Sequence, residues 1–114
     1  ANVLCDENKL LNIMINLFYN ALDSIESAKT QGVIKINTEE TADNMLKIYI
    51  TDNGCGIEQD ACEKIFEEGY TSKTTGSGLG LHISKEAIKE LYGDLNLVNS
   101  EKGSTTFVIS LPKL

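Results

Sequence analysis

Asn12, Asn16, Asn20 and Asp23 are separated by four, four and three residues, so on a helix they stack along one narrow strip. An asparagine offers a carbonyl oxygen to a hard cation and an NH2 group to a phosphate oxygen. A solvated helix face would satisfy the same spacing, and the spacing alone does not choose between the two. A second cluster, Asp52-Asn53-Gly54-Cys55-Gly56-Ile57, follows directly on the strand-like run 47–51. Two glycines flanking one residue let the backbone turn sharply and approach a flat ligand, and a carboxylate at a strand end accepts a hydrogen bond from an exocyclic amine. The competing reading is a tight turn that begins with Asp52. A third cluster, Gly76-Ser77-Gly78-Leu79-Gly80-Leu81, opens into a helical pattern. Backbone amides at a glycine-rich helix N-terminus form a cradle for phosphate.

Several chemistries are excluded. The third cluster reads G-x-G-x-G, not the dinucleotide G-x-G-x-x-G, and no glycine precedes Lys-Ser or Lys-Thr as in a Walker loop. A single histidine, His82, leaves little material for a catalytic triad or a histidine-rich metal centre; behind the glycine loop it suits packing or capping. Cys5, Cys55 and Cys62 are an odd set without C-x-x-C spacing, so reduced thiols are expected in place of a disulfide framework or zinc site. Ten basic against seventeen acidic residues give a net charge of -7. The global field therefore repels phosphate, nucleic acid is not an expected partner, and a phosphate ligand must be met by local geometry. No apolar run approaches the roughly 20 residues that cross a bilayer, and the start of the chain lacks a basic, apolar export signal. A cytoplasmic location without direct membrane contact is expected.

The elements that must hold these clusters follow from periodicity. The pattern predicts a short strand at 3–5, then a helix capped by Asp6, running to about 30 and ended by Gly32. Leu10, Ile13, Met14, Leu17, Ala21, Leu22, Ile25 and Ala28 form its core stripe. Strands over 33–40 and 45–51 flank a turn at 42–44. A glycine-punctuated loop with a helical turn at 60–66 leads to a helix over 79–91, closed by Gly93. Strands over 94–99 and 105–111 flank a turn at 100–104. With 41% hydrophobic and 24% charged residues in 114, this is one α+β domain over 1–114, with helices on one face of a mixed, mostly antiparallel sheet.

In order, these segments resemble the ATP-binding catalytic domain of two-component histidine kinases. Residues 12–23 are similar to the family's N box, 52–57 to its G1 box, 65–67 to its F box, 69–73 to its lid signature and 76–81 to its G2 box. Gly93-Asp94-Leu95 and residues 103–107 extend the likeness toward the C-terminus. The resemblance implies the Bergerat fold, a two-layer α/β sandwich that holds ATP and Mg2+ between the helical layer and a lid. By that likeness Asn20 ligates Mg2+, Asn16 and Asp23 order the metal-phosphate end, and Asp52 accepts from the adenine amine. Gly54, Gly56 and Ile57 shape the adenine pocket. Gly76, Ser77, Gly78, Leu79, Gly80 and Leu81 form the phosphate loop, and Lys73 reaches the terminal phosphates. The related hydrolytic ATPases carry Glu where this chain has Asn16. An amide cannot act as a general base, so transfer to a supplied nucleophile is expected over hydrolysis. The implied partners are the helical dimerisation and phosphoacceptor domain of the same kinase and, downstream, a response regulator. The chain begins one strand later than the complete domain, as a fragment would, and the membership could extend to the cytoplasmic part of a membrane-bound sensor. The stretch 67–75 is a short lid, closer to nitrogen-regulation and sporulation kinases than to osmosensors. An anti-sigma-type serine protein kinase, which usually carries Glu at position 16, and a non-catalytic nucleotide-binding module are the alternatives.

Overall fold

The computed structural model describes residues 6–67 and 80–113; the strand expected at 3–5 and most of the lid and phosphate loop lie outside them. The elements run α1 (Glu7–Ala28), β1 (Ile34–Glu40), β2 (Met45–Asp52), α2 (Gly80–Glu90), β3 (Asp94–Glu101) and β4 (Ser104–Pro112).

Asp6 starts α1 as read from the sequence: its Oδ1 accepts from the amides of Asn8 and Lys9 at 3.0 and 3.2 Å, satisfying donors that have no partner inside the helix. The helix ends earlier than expected. Lys29 turns left-handed (φ 54°) and its amide bonds Glu26 O, so Gly32 is not the terminator. Gly32 serves close packing instead, because a Cβ there would stand 2.7 Å from Ile25 Cγ2. Ile13, Leu17 and Ala21 are the fully buried positions of α1. Leu22, expected in the core, is 51% exposed. It lies about 100° round the helix from Ala21, on the solvent side with Leu11 and Ile15.

The described sheet has the order β1-β2-β4-β3, with every pairing antiparallel. These four strands are the mostly antiparallel sheet expected, with the helices packed on it as an α+β sandwich, and the strand expected at 3–5 lies outside the described residues. Both expected hairpins form. The second is tighter than expected: Glu101 pairs Ser104 around Lys102 and Gly103, and Gly103 has φ 91°. The pairing register shifts between Leu97 and Asn99. At 60–66 the chain makes the short helical turn expected, as successive i+3 turns with the amides of Ala61, Lys64 and Glu67 bonding carbonyls three residues back. The core packs Ile13, Leu17, Ile88 and Leu91 of the helical layer with Ile65 against Ile50, Leu95, Phe107, Ile109 and Leu111 of the sheet. Beyond α2, Tyr92 is left-handed (φ 63°) and the Gly93 amide returns to Ile88 O at 3.0 Å. A Cβ on Gly93 would run into the carbonyl oxygen of Ser110, so this glycine lets the helix end meet β4. No helix among the described residues is long and apolar enough to cross a membrane.

Candidate functional site

The site is built around α1. At the end of β2, Asp52 is 5% exposed, and its Oδ1 accepts from the Gly54 amide at 2.9 Å. Burial pushes the Asp52 carboxyl above the usual carboxylate range, while the Gly54 amide and the nearby Ser24 hydroxyl of α1 pull it back. Among the described residues no lysine, arginine or histidine pairs with it. A buried acceptor without a counter-cation is suited to a neutral donor such as an amine N–H.

Gly54 allows the contact between this loop and α1. A Cβ on Gly54 would stand 2.5 Å from the backbone carbon of Ser24, and the Cys55 amide donates to Ser24 O at 3.1 Å. Gly56 has φ 79°, and a Cβ there would meet Glu101 O at 2.6 Å. The Gly103 amide reaches Gly54 O at 3.0 Å, and the Ile57 amide donates to Ser100 Oγ at 2.7 Å, so the β3–β4 hairpin supports the loop from beneath. Asn53 clamps the opposite side: its Nδ2 donates to Gln31 O at 2.9 Å and its Oδ1 accepts from Val33 N at 2.8 Å.

The helical strip divides. Asn16 and Asn20 are half-buried, whereas Asn12 and Asp23 are exposed. Asn16 Nδ2 donates to Ser84 Oγ of α2 at 3.2 Å. Gly80 and Leu81, half-buried, begin α2, and Leu81 packs against the core. The structure thus brings Asn16 to α2 and, two turns along the same helix, Ser24 to Asp52. Lys73, Gly76, Ser77, Gly78 and Leu79 lie outside the described residues. No group of three or more His, Cys, Asp and Glu that could hold a metal ion is found among the described residues. The donors along α1 are neutral amide oxygens, which fit a hard cation that keeps waters and shares phosphate oxygens.

The F-box segment is held from α2. His82 Nδ1 lies 3.1 Å from Phe66 O, and Lys85 Nζ sits 4.7 Å from the Phe66 ring centroid. The same ammonium donates to Leu95 O at 2.6 Å and pairs with Asp94 at 3.2 Å. Phe66 meets Phe107 edge to face at 6.3 Å.

Sequence reasoning missed Ser24, Ser84 and Ser100. Ser24 was detectable, since it continues the i+4 series 12, 16, 20. Ser100 and Ser84 act through tertiary contacts that leave no local pattern. The thiols of Cys55 and Cys62 are free.

The family described as "Histidine kinase-, DNA gyrase B-, and HSP90-like ATPase" matches residues 5–114. The chain is 32% identical over 110 residues to sensor protein FixL of Bradyrhizobium diazoefficiens, a match covering 96% of this chain and 22% of that protein. Among solved structures, the catalytic domain of histidine kinase ThkA superposes with a TM-score of 0.80 at 32% identity, covering 97% of this chain and 70% of that one. Full-length ShkA in complex with AMPPNP superposes with a TM-score of 0.81 at 25% identity, covering 96% of this chain and 22% of that one.

Proposed function

The chain belongs to the histidine kinase-, DNA gyrase B- and HSP90-like ATPases, and within them to the histidine kinase catalytic domains, and from that premise we propose that it binds Mg-ATP and donates the γ-phosphoryl group to a histidine on a separate helical dimerisation domain. The observation that carries the reading is Asp52: a buried carboxylate at a strand end, held by the Gly54 amide beside the Ser24 side chain and with no counter-cation among the described residues. An adenine amine supplies the missing donor, and Gly54, Gly56 and Ile57 bring backbone close to the flat ring.

The phosphates then lie toward α2, where the loop 76–81 offers amides at a helix N-terminus. Lys73 serves the terminal phosphate. Asn20, with Asn16 and Asp23 beside it, holds the metal end. Bound Mg2+ neutralises phosphate charge, which lets a chain of net charge -7 accept ATP. Asn16 cannot deprotonate water. A neutral imidazole needs no such help, because one ring nitrogen already presents a lone pair. That nitrogen forms the new N–P bond as the bond to the ADP oxygen breaks, and the proton on its other nitrogen stays in place. The ShkA complex with AMPPNP supports the nucleotide class.

FixL is a sensor protein of which this chain matches 22%; a phosphoacceptor domain, a response regulator and a cytoplasmic setting complete the proposal. Titration calorimetry with Mg-ATP tests it. Asn20→Asp alters metal ligation, Asp52→Asn replaces a pure acceptor with a mixed group, and each is expected to weaken binding. Wild-type affinity in both variants would overturn the assignments.

A further inference from the structure

Ser84 is 1% exposed and lies in the middle of α2, one turn before the fully buried Ile88. A hydroxyl in such a place costs free energy unless it is hydrogen-bonded. Its partner is across the helix pair: Asn16 Nδ2 donates to Ser84 Oγ at 3.2 Å. An asparagine amide is otherwise ambivalent, able to present either two donors or an acceptor to a ligand. With one Nδ2 hydrogen committed to α2, the plane of the Asn16 amide is fixed and its carbonyl oxygen Oδ1 lies on the edge away from Ser84.

The geometry points to Ser84 as a positioning residue that sets the orientation of the Asn16 amide, so that the carbonyl oxygen of Asn16 is presented to a cation or its bound water. This rests on the reading that Mg-ATP lies along α1. It assigns a purpose to a buried polar group that the apolar packing of α2 does not require. The orientation is fixed from the second helix, so the metal-phosphate end depends on a side chain that never touches the nucleotide.

Two measurements on the 1–114 chain test this. In side-chain amide NMR, the Asn16 NH2 protons should exchange slowly in the wild type and lose that protection in Ser84→Ala. In calorimetry, Ser84→Ala should weaken ATP binding in the presence of Mg2+ by roughly 3- to 10-fold, the scale of one neutral hydrogen bond, and leave binding in EDTA unchanged. Ser84→Cys, nearly isosteric but a weak acceptor, should fall between. Asn16→Ala and the double variant Asn16→Ala/Ser84→Ala should bind alike, since the serine acts only through the asparagine. Equal losses with and without Mg2+, unchanged affinity in both, or additive effects in the double variant would overturn the proposal, as would unprotected Asn16 NH2 protons in the wild type. If the wild-type chain binds no nucleotide under either condition, the underlying reading falls and this one with it. Binding by the wild type with no effect of Ser84→Ala removes this one alone.

Discussion

Asp52 is a buried carboxylate whose ionisation works against the stability of the fold. Burial raises its pKa, so the folded chain holds this proton to higher pH than the unfolded chain does. The stability contribution is therefore fully present below the unfolded carboxylate range and is lost as pH rises through the raised value. Asp52→Asn removes that ionisation while keeping an acceptor for the Gly54 amide. The variant should melt at or above the wild-type temperature at neutral pH, with the difference closing at acidic pH, and should lose at least about tenfold in ATP affinity, the scale of a charge-assisted hydrogen bond. Thermal melts across pH, paired with calorimetry, check both halves; a destabilised variant at neutral pH would contradict the account. Asp52 was legible because an acidic residue closing a strand before two glycines is a local pattern. Ser84 was not, since its significance depends on which helix packs against it.

At the scale of elements, the contact between α1 and the loop after β2 admits no side chain at Gly54. Gly54→Ala would force a methyl into the Ser24 backbone, which should cost about 1–3 kcal/mol and also disturb the Gly54 amide bond to Asp52. Gly103→Ala faces open space at φ 91°, so it should show only backbone strain, about 1 kcal/mol, with nucleotide affinity intact. Urea unfolding and calorimetry on the pair separate a packing requirement from a conformational one. The two helices and both hairpins were legible from periodicity. The end of α1 was misread because Lys29 adopts the left-handed conformation that Gly32 had been expected to supply. The turn at 60–66 was legible as a turn, but the placement of Ile65 and Phe66 against the core and α2 was not, because those contacts are tertiary.

For the whole molecule, the sign of the charge makes a kinetic prediction. A net charge of -7 repels ATP at long range, so its association rate should rise between about 0.01 and 0.15 M salt as the field is screened. A fall in rate, measured by stopped flow, would mean that a local basic path dominates the encounter. Incubated alone with γ-labelled ATP, the chain should incorporate no label and release phosphate slowly. A phosphoacceptor domain supplied in trans should become labelled, whereas label on His82 would refute the assignment of roles. The charge and the antiparallel pairing of the hairpins were readable from composition and alternation. The order β1-β2-β4-β3 was not, because it depends on which hairpin edges meet.

The clamp at Asn53 has a consequence for chemical ageing. An Asn-Gly pair deamidates when the following amide nitrogen attacks the side-chain carbonyl. Here that nitrogen, Gly54 N, is bonded to Asp52 Oδ1, and the Asn53 side chain is fixed at both ends by Gln31 O and Val33 N. The attack needs both groups released at once, which the folded chain does not allow. Isoaspartate at position 53 should therefore accumulate only in proportion to the time spent unfolded, so mass spectrometry of stored protein reads out how often this loop comes apart.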